Sequence, residues 1–142
     1  MNTSAVRFGI CVILALLASP VMAIDIYFAV AYPSWEVQFD GGPVTNNPTL
    51  QLIRGETYNI HVSGLLGFHS FYIKTESSIG SANAYNDGLS ENGITTDTTA
   101  LTTITFTVPQ SAPNQLFYNC GAHISMAGGI EVDGVFRSGF EP

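Results

Sequence analysis

Positive charge is scarce in this chain: four Lys or Arg stand against eleven Asp or Glu in 142 residues, a formal charge of -7 at pH 7. A nucleic-acid binder needs clustered basic side chains to neutralise a row of phosphates, so that class is excluded. Charge of either sign is low at 11% of residues, whereas 46% are hydrophobic. Disordered chains show the opposite balance. A chain of this length buries about two-thirds of the surface its unfolded form exposes, enough for one domain without staples. Cysteine is also sparse, with two in the whole sequence, so a disulfide framework is excluded. Past residue 23 no apolar run approaches the roughly 20 residues of a membrane-spanning helix. Helical periodicity is almost absent and there is no internal repeat.

What is present begins with a leader. Arg7 supplies a positive start, Ile10 to Ala18 a short apolar run, Ser19-Pro20 a break, and Val21-Met22-Ala23 side chains suited to a peptidase. Residues 1–23 are therefore expected to be a secretory signal peptide cut after Ala23. Residues 24–142 are expected to be a single domain with a short C-terminal tail, periplasmic or secreted. Cys11 lies within the apolar run, and Arg7-Phe8-Gly9-Ile10 before it is no lipoprotein box. Without the leader, three basic residues face the eleven acids, a formal charge of -8, and Cys120 is the remaining cysteine. A lone thiol in an exported protein invites oxidation unless it is shielded or chemically occupied.

The mature chain reads as short strands separated by turns. Trp35, Val37 and Phe39 alternate with polar residues, as do Tyr58, Ile60 and Val62, and then Ile104, Phe106 and Val108. Asp40-Gly41-Gly42-Pro43 and Asn46-Asn47-Pro48 are turn signals, and residues 77–99 form a polar, Gly-containing stretch of the length of a Greek-key connection. Seven or eight strands predict an all-β, antiparallel Greek-key sandwich.

The chemistry gathers in Leu116-Phe117-Tyr118-Asn119-Cys120-Gly121-Ala122-His123-Ile124-Ser125-Met126. Strand alternation puts Leu116, Tyr118 and Cys120 on one face, so the thiol emerges inward where the strand ends. His123 and Met126 follow in a loop able to curl back over it. Thiolate, imidazole and thioether form a soft donor set, and a second imidazole would complete the two-His, one-Cys plane with weak axial Met that suits copper electron transfer. His69 shares parity with Phe71 and Ile73 and faces the core, whereas His61 shares parity with Asn59 and Ser63 and faces solvent. His69 is the better candidate.

Four segments, Asn47-Pro48-Thr49-Leu50, Arg54-Gly55-Glu56-Thr57-Tyr58, Phe68-His69-Ser70-Phe71-Tyr72-Ile73 and Tyr118 to Met126, resemble the small blue copper proteins of the cupredoxin family over nearly the whole mature chain. The Cys-x2-His-x2-Met spacing is similar to that of amicyanins, plastocyanins having a loop two residues longer. The resemblance implies a cupredoxin-like sandwich holding one type 1 copper ion, with His69, Cys120 and His123 in the plane and Met126 axial. Two departures stand out. Ser70 follows the first ligand His where many members have Asn, which predicts a looser tie between the ligand loops. Gly121-Ala122 stands where many have Pro, leaving an additional N–H able to donate to the sulfur.

Such a chain is expected to carry one electron between copper states and not to be an enzyme. Its three histidines are too few for the further imidazole-rich centres of multicopper oxidases. Gly64-Leu65-Leu66-Gly67-Phe68 and the residues around His123, namely Ile124, Ala127, Gly128 and Gly129, are apolar and predict an exposed docking patch. The expected partner is a redox protein with a cationic surface, met by a monomer. The same donors would serve two alternatives: an envelope copper carrier without an electron-transfer role, or, without metal, a sandwich used for protein contact.

Overall fold

The structure, a computed structural model, describes residues 22–95 and 100–133. Residues 1–21 of the expected signal peptide, 96–99 at the end of the polar stretch, and 134–142, which include the expected tail 136–142, lie outside the described residues. Among the described residues ten strands succeed one another: β1 (Ile24–Ala31), β2 (Ser34–Phe39), β3 (Val44–Asn46), β4 (Leu50–Ile53), β5 (Thr57–Ser63), β6 (Ser70–Lys74), β7 (Ile94–Thr95), β8 (Thr102–Thr107), β9 (Gln115–Cys120) and β10 (Ala127–Asp133). They form two five-stranded sheets, β3-β2-β1-β5-β8 and β4-β10-β9-β6-β7.

The all-β sandwich is as the alternation predicts, with two corrections. The sheets are mixed, since β1 pairs in parallel with β5 and β10 in parallel with β4. Period-two patterning reports which face of a strand is buried, and that is the same whichever way its neighbour runs. The count among the described residues is ten strands, above the expected seven or eight, because β3 and β7 are short edge strands. All of β3 is exposed, so neither the burial that creates an alternation nor a second row of hydrogen bonds marks it.

Inward residues of both sheets meet in one core that includes Ile26, Phe28, Trp35, Leu52, Ile60, Phe71, Ile73, Phe106, Leu116 and Tyr118. Aromatic rings concentrate in its middle. Phe28 lies 4.8 Å from Phe71 and 4.9 Å from Tyr118, and Trp35 lies 5.6 Å from Phe71, all edge-on. Such pairs contribute about 0.5–1.5 kcal/mol each beyond their buried area. Phe71 stands opposite Cys120 in the β6–β9 register, so this rigid aromatic layer adjoins the strand that ends in the thiol.

On the outer face of the first sheet, His61 accounts for itself without a ligand. Its Nε2 is 3.0 Å from Asp25 Oδ1, its Nδ1 is 2.8 Å from Thr103 Oγ1, and Tyr27 stacks on its ring at 4.5 Å. Hydrogen bonds from His61 and then Asn59 hold the Asp25 carboxyl below its ordinary range. A depressed carboxyl contributes stability that is fully present above its unfolded value near 4 and is lost as pH falls through the folded one. Asp25→Asn should therefore flatten the loss of stability below about pH 4, as read from urea midpoints across an acid series. An unchanged slope would refute this.

Candidate metal centre

Two loops at one end of the sandwich bring three ligand-type side chains together. Gly64–Ser70 turns tightly, with positive φ at Gly64, Leu66 and Gly67. Phe68 N–H donates to Leu66 O at 2.8 Å, and His69 N–H donates to Leu65 O at 3.0 Å. Leu65 is buried in the core, so the turn is pinned from beneath and presents His69 at the entrance to β6. From the other side β9 ends at Cys120, and the chain doubles back through His123 into β10.

The donor atoms face one another. His69 Nδ1 is 3.5 Å and His123 Nδ1 3.6 Å from Cys120 Sγ, and all three ligand atoms lie within 4.8 Å of one another. Ala122 N–H donates to the same sulfur at 3.4 Å. Cys120 is completely buried, and it is the free cysteine among the described residues. Burial first, and the neighbouring His123 charge second, lower the His69 pKa, which favours the neutral ring that binds a metal. Two imidazoles and one thiol converging in this way are able to hold a metal ion, and a soft His-His-Cys donor set suits copper.

The loop is held from the opposite sheet. Met126 O accepts from Cys120 N–H at 2.8 Å and from Trp35 Nε1–H at 3.0 Å. Asn47 Nδ2 donates to Ser125 O at 2.9 Å while its Oδ1 accepts from Trp35 N–H at 2.9 Å. Tyr118, its hydroxyl pKa pushed up by burial, donates to Pro48 O at 2.6 Å. A Cβ on Gly128 would overlap that hydroxyl, so glycine is required where β10 leaves the loop.

No protein-family model matches the chain, and no curated protein matches it in sequence. Solved structures do. A rusticyanin structure, described as a copper protein, superposes with a TM-score of 0.53 at 18% identity, covering 77% of this chain and 76% of that one. The fold is shared with rusticyanin. Rusticyanin from Thiobacillus ferrooxidans gives a TM-score of 0.51 at 18% identity, with 77% and 76% of the two chains covered. Reduced rusticyanin gives 0.52 at 19%, with 77% and 78% covered.

Within this rusticyanin-like fold, His69, Cys120 and His123 come together as the sequence predicts, and Met126 is buried beside them in sequence with its backbone bonded to Cys120 and His123. The contact that the structure shows between the ligand loops at Ser70, where many cupredoxins have Asn, is a backbone one. Gly121 N–H donates to Ser70 O at 2.9 Å, and Gly121 sits so close that a Cβ would overlap Ser70 Oγ. A backbone bond joins the two ligand loops. The expected apolar patch divides: Leu66, Phe68 and Ile124 are exposed, Leu65 is core, and Ala127, Gly128 and Gly129 belong to β10.

Three residues escape sequence reasoning. Tyr32, 67% exposed, sets its ring edge-on to His123 at 5.3 Å. Trp35 and Asn47 hold the ligand loop from the other sheet. An inward-facing tryptophan and an Asn-Pro turn are visible in the sequence, but nothing there pairs position 35 with 126 or 47 with 125.

Proposed function

We propose that this chain is an exported blue copper protein that carries single electrons and catalyses no reaction. In this reading His69, Cys120 and His123 would hold one type 1 copper ion, and Met126 would serve as a further, weak donor. The observation that carries it is the convergence of two imidazole Nδ1 atoms on one buried thiol at the end of a rusticyanin-like sandwich. Copper bound by these donors would supply one-electron exchange between Cu(I) and Cu(II).

The chain's own contribution is stiffness and tuning. The Trp35 and Asn47 bonds fix the loop on a packed core, so the donors have little freedom to rearrange with the ion's charge. Ala122 N–H disperses negative charge on the sulfur, which favours the reduced state. Ala122→Pro removes that donor and should lower the reduction potential in voltammetry; an unchanged or higher potential would count against the role of this bond. Exchange with a partner requires a close approach. Tyr32, Leu66, Phe68 at 81% exposure and Ile124 supply apolar surface around the two histidine loops. Such a surface suits a small, partly dry and brief contact. The low count of basic residues favours a cationic partner and a salt-sensitive on-rate. Leu66→Asp is expected to slow transfer to a partner with the visible spectrum unaltered, and unaffected transfer kinetics would remove the patch. His61, the third histidine, is engaged by Asp25 and Thr103 on a sheet face, so no imidazole is left to build a further copper centre.

Export is supported by the signal-like residues 1–23. The test of the whole reading is Cu(II) titration of residues 24–142: one equivalent should develop an intense visible thiolate band and a reversible voltammetric wave. Absence of the band overturns the copper assignment. A band without a reversible wave overturns electron carriage.

A further inference from the structure

The outer face of β6 and β9 is where a solvated surface is expected, yet Lys74 and Asn119 on it are completely buried. Residues 75–93 fold back over them. Thr75 N–H donates to Asn83 O at 2.9 Å, and Tyr85 N–H donates to Ile73 O at 2.9 Å. Beneath this strap the Lys74 ammonium donates to Ser78 O at 2.7 Å and Gly80 O at 2.5 Å, and lies 5.1 Å from the Tyr72 ring centroid. Among the described residues no carboxylate pairs with it.

A buried ammonium without a counter-ion is costly, and an apolar side chain of equal length would fill the same space at less cost. Lys74 instead brings several donors to one point, and both carbonyls they grip lie in the segment that touches the metal loop. Gly80 N–H donates to Gly121 O at 2.7 Å, and Gly121 N–H donates to Ser70 O at 2.9 Å. Asn119 Nδ2 adds a second attachment to the strap, donating to Ser77 Oγ at 3.1 Å. Gly121 is thus gripped on both its peptide groups, between Cys120 and the Ala122 N–H that points at the sulfur.

We infer that Lys74 is a positioning residue for Cys120-Gly121-Ala122: by clamping the carbonyls of Ser78 and Gly80 it holds Gly80 N–H on the Gly121 carbonyl, and thereby sets the approach of Ala122 N–H to the thiol. Its consequence for the metal rests on the copper reading above; the clamp itself does not. The ammonium touches no ligand atom and acts only through the strap.

Amide hydrogen exchange on the metal-free chain tests the clamp. In wild type the Gly80 amide should be protected far beyond an open loop amide. In Lys74→Met the Gly80 and Ala122 amides should exchange at least about tenfold faster, with Ile60 and Val62 in β5 unchanged. A Gly80 amide that exchanges at loop rates in wild type overturns the inference and needs no variant that folds. Retained protection in Lys74→Met overturns it as well. After Cu(II) addition, the relative intensity of the two thiolate-to-copper bands, which reports how the sulfur is presented, should shift in Lys74→Met; an unshifted ratio overturns the positioning role. A wild-type protein that gives no band refutes the copper reading, and the exchange result still decides the clamp.

Discussion

Cys120→Ser is expected to abolish the visible band that Cu(II) develops with the wild-type chain, leaving at most weak absorption from the imidazoles. The band requires charge transfer from a soft thiolate, and a serine hydroxyl is a hard, protonated donor at neutral pH. The fold should survive. Cys120 is completely buried and serine is slightly smaller, so burying a hydroxyl with incomplete hydrogen bonding costs about 1–3 kcal/mol. Far-ultraviolet circular dichroism and a urea midpoint would establish that the variant is folded, and the copper titration would then read the site alone. An intense band persisting in the folded variant would show that the sulfur is not the donor.

Trp35→Ala should give the largest loss of stability, about 3–5 kcal/mol. Against the 5–15 kcal/mol of a typical domain this leaves a marginal protein. Two effects add. The ring is buried among Phe28 and Phe71, and its removal leaves a cavity that a close-packed sandwich cannot collapse to fill. The indole N–H also donates to Met126 O, so the metal loop loses its attachment to the opposite sheet. Trp35→Phe separates the two. Most of the packing remains while the donor goes, so the stability loss should fall to about 1–2 kcal/mol while copper affinity still drops. Equal copper affinity in wild type and Trp35→Phe would show that the indole bond does not hold the loop.

Much of the candidate site was readable because its signal is local. Cys120, His123 and Met126 share one short segment, and a two-residue alternation told which faces of that strand and of the segment after His69 point inward. The same alternation set His61 apart, and the structure finds it on the outer face bonded to Asp25 and Thr103. The strap over Lys74 was not readable. Polar residues 77–99 read as a solvated crossover, and the burial of a lysine under the described part of that stretch depends on carbonyl groups, which every residue type carries. The backbone tie from Gly121 to Ser70 escaped for the same reason: substituting Ser for Asn changes a side chain, and the bond that joins the loops uses none.

The amino-acid order alone determined that this is a β-sandwich with one inward thiol and an imidazole and thioether following closely. Burial of one strand face in two imposes a period, and a short loop keeps its ligands near one another whatever the rest of the chain does. Only the tertiary structure decided which strands run parallel, that His69 Nδ1 meets the sulfur across 51 residues of sequence, that Trp35 and Asn47 bond the ligand loop, and that Lys74 bonds the carbonyls of Ser78 and Gly80. Those contacts depend on the spacing and register of two packed sheets. The free energy that sets that register is summed over the whole core, so no single segment of the chain records it.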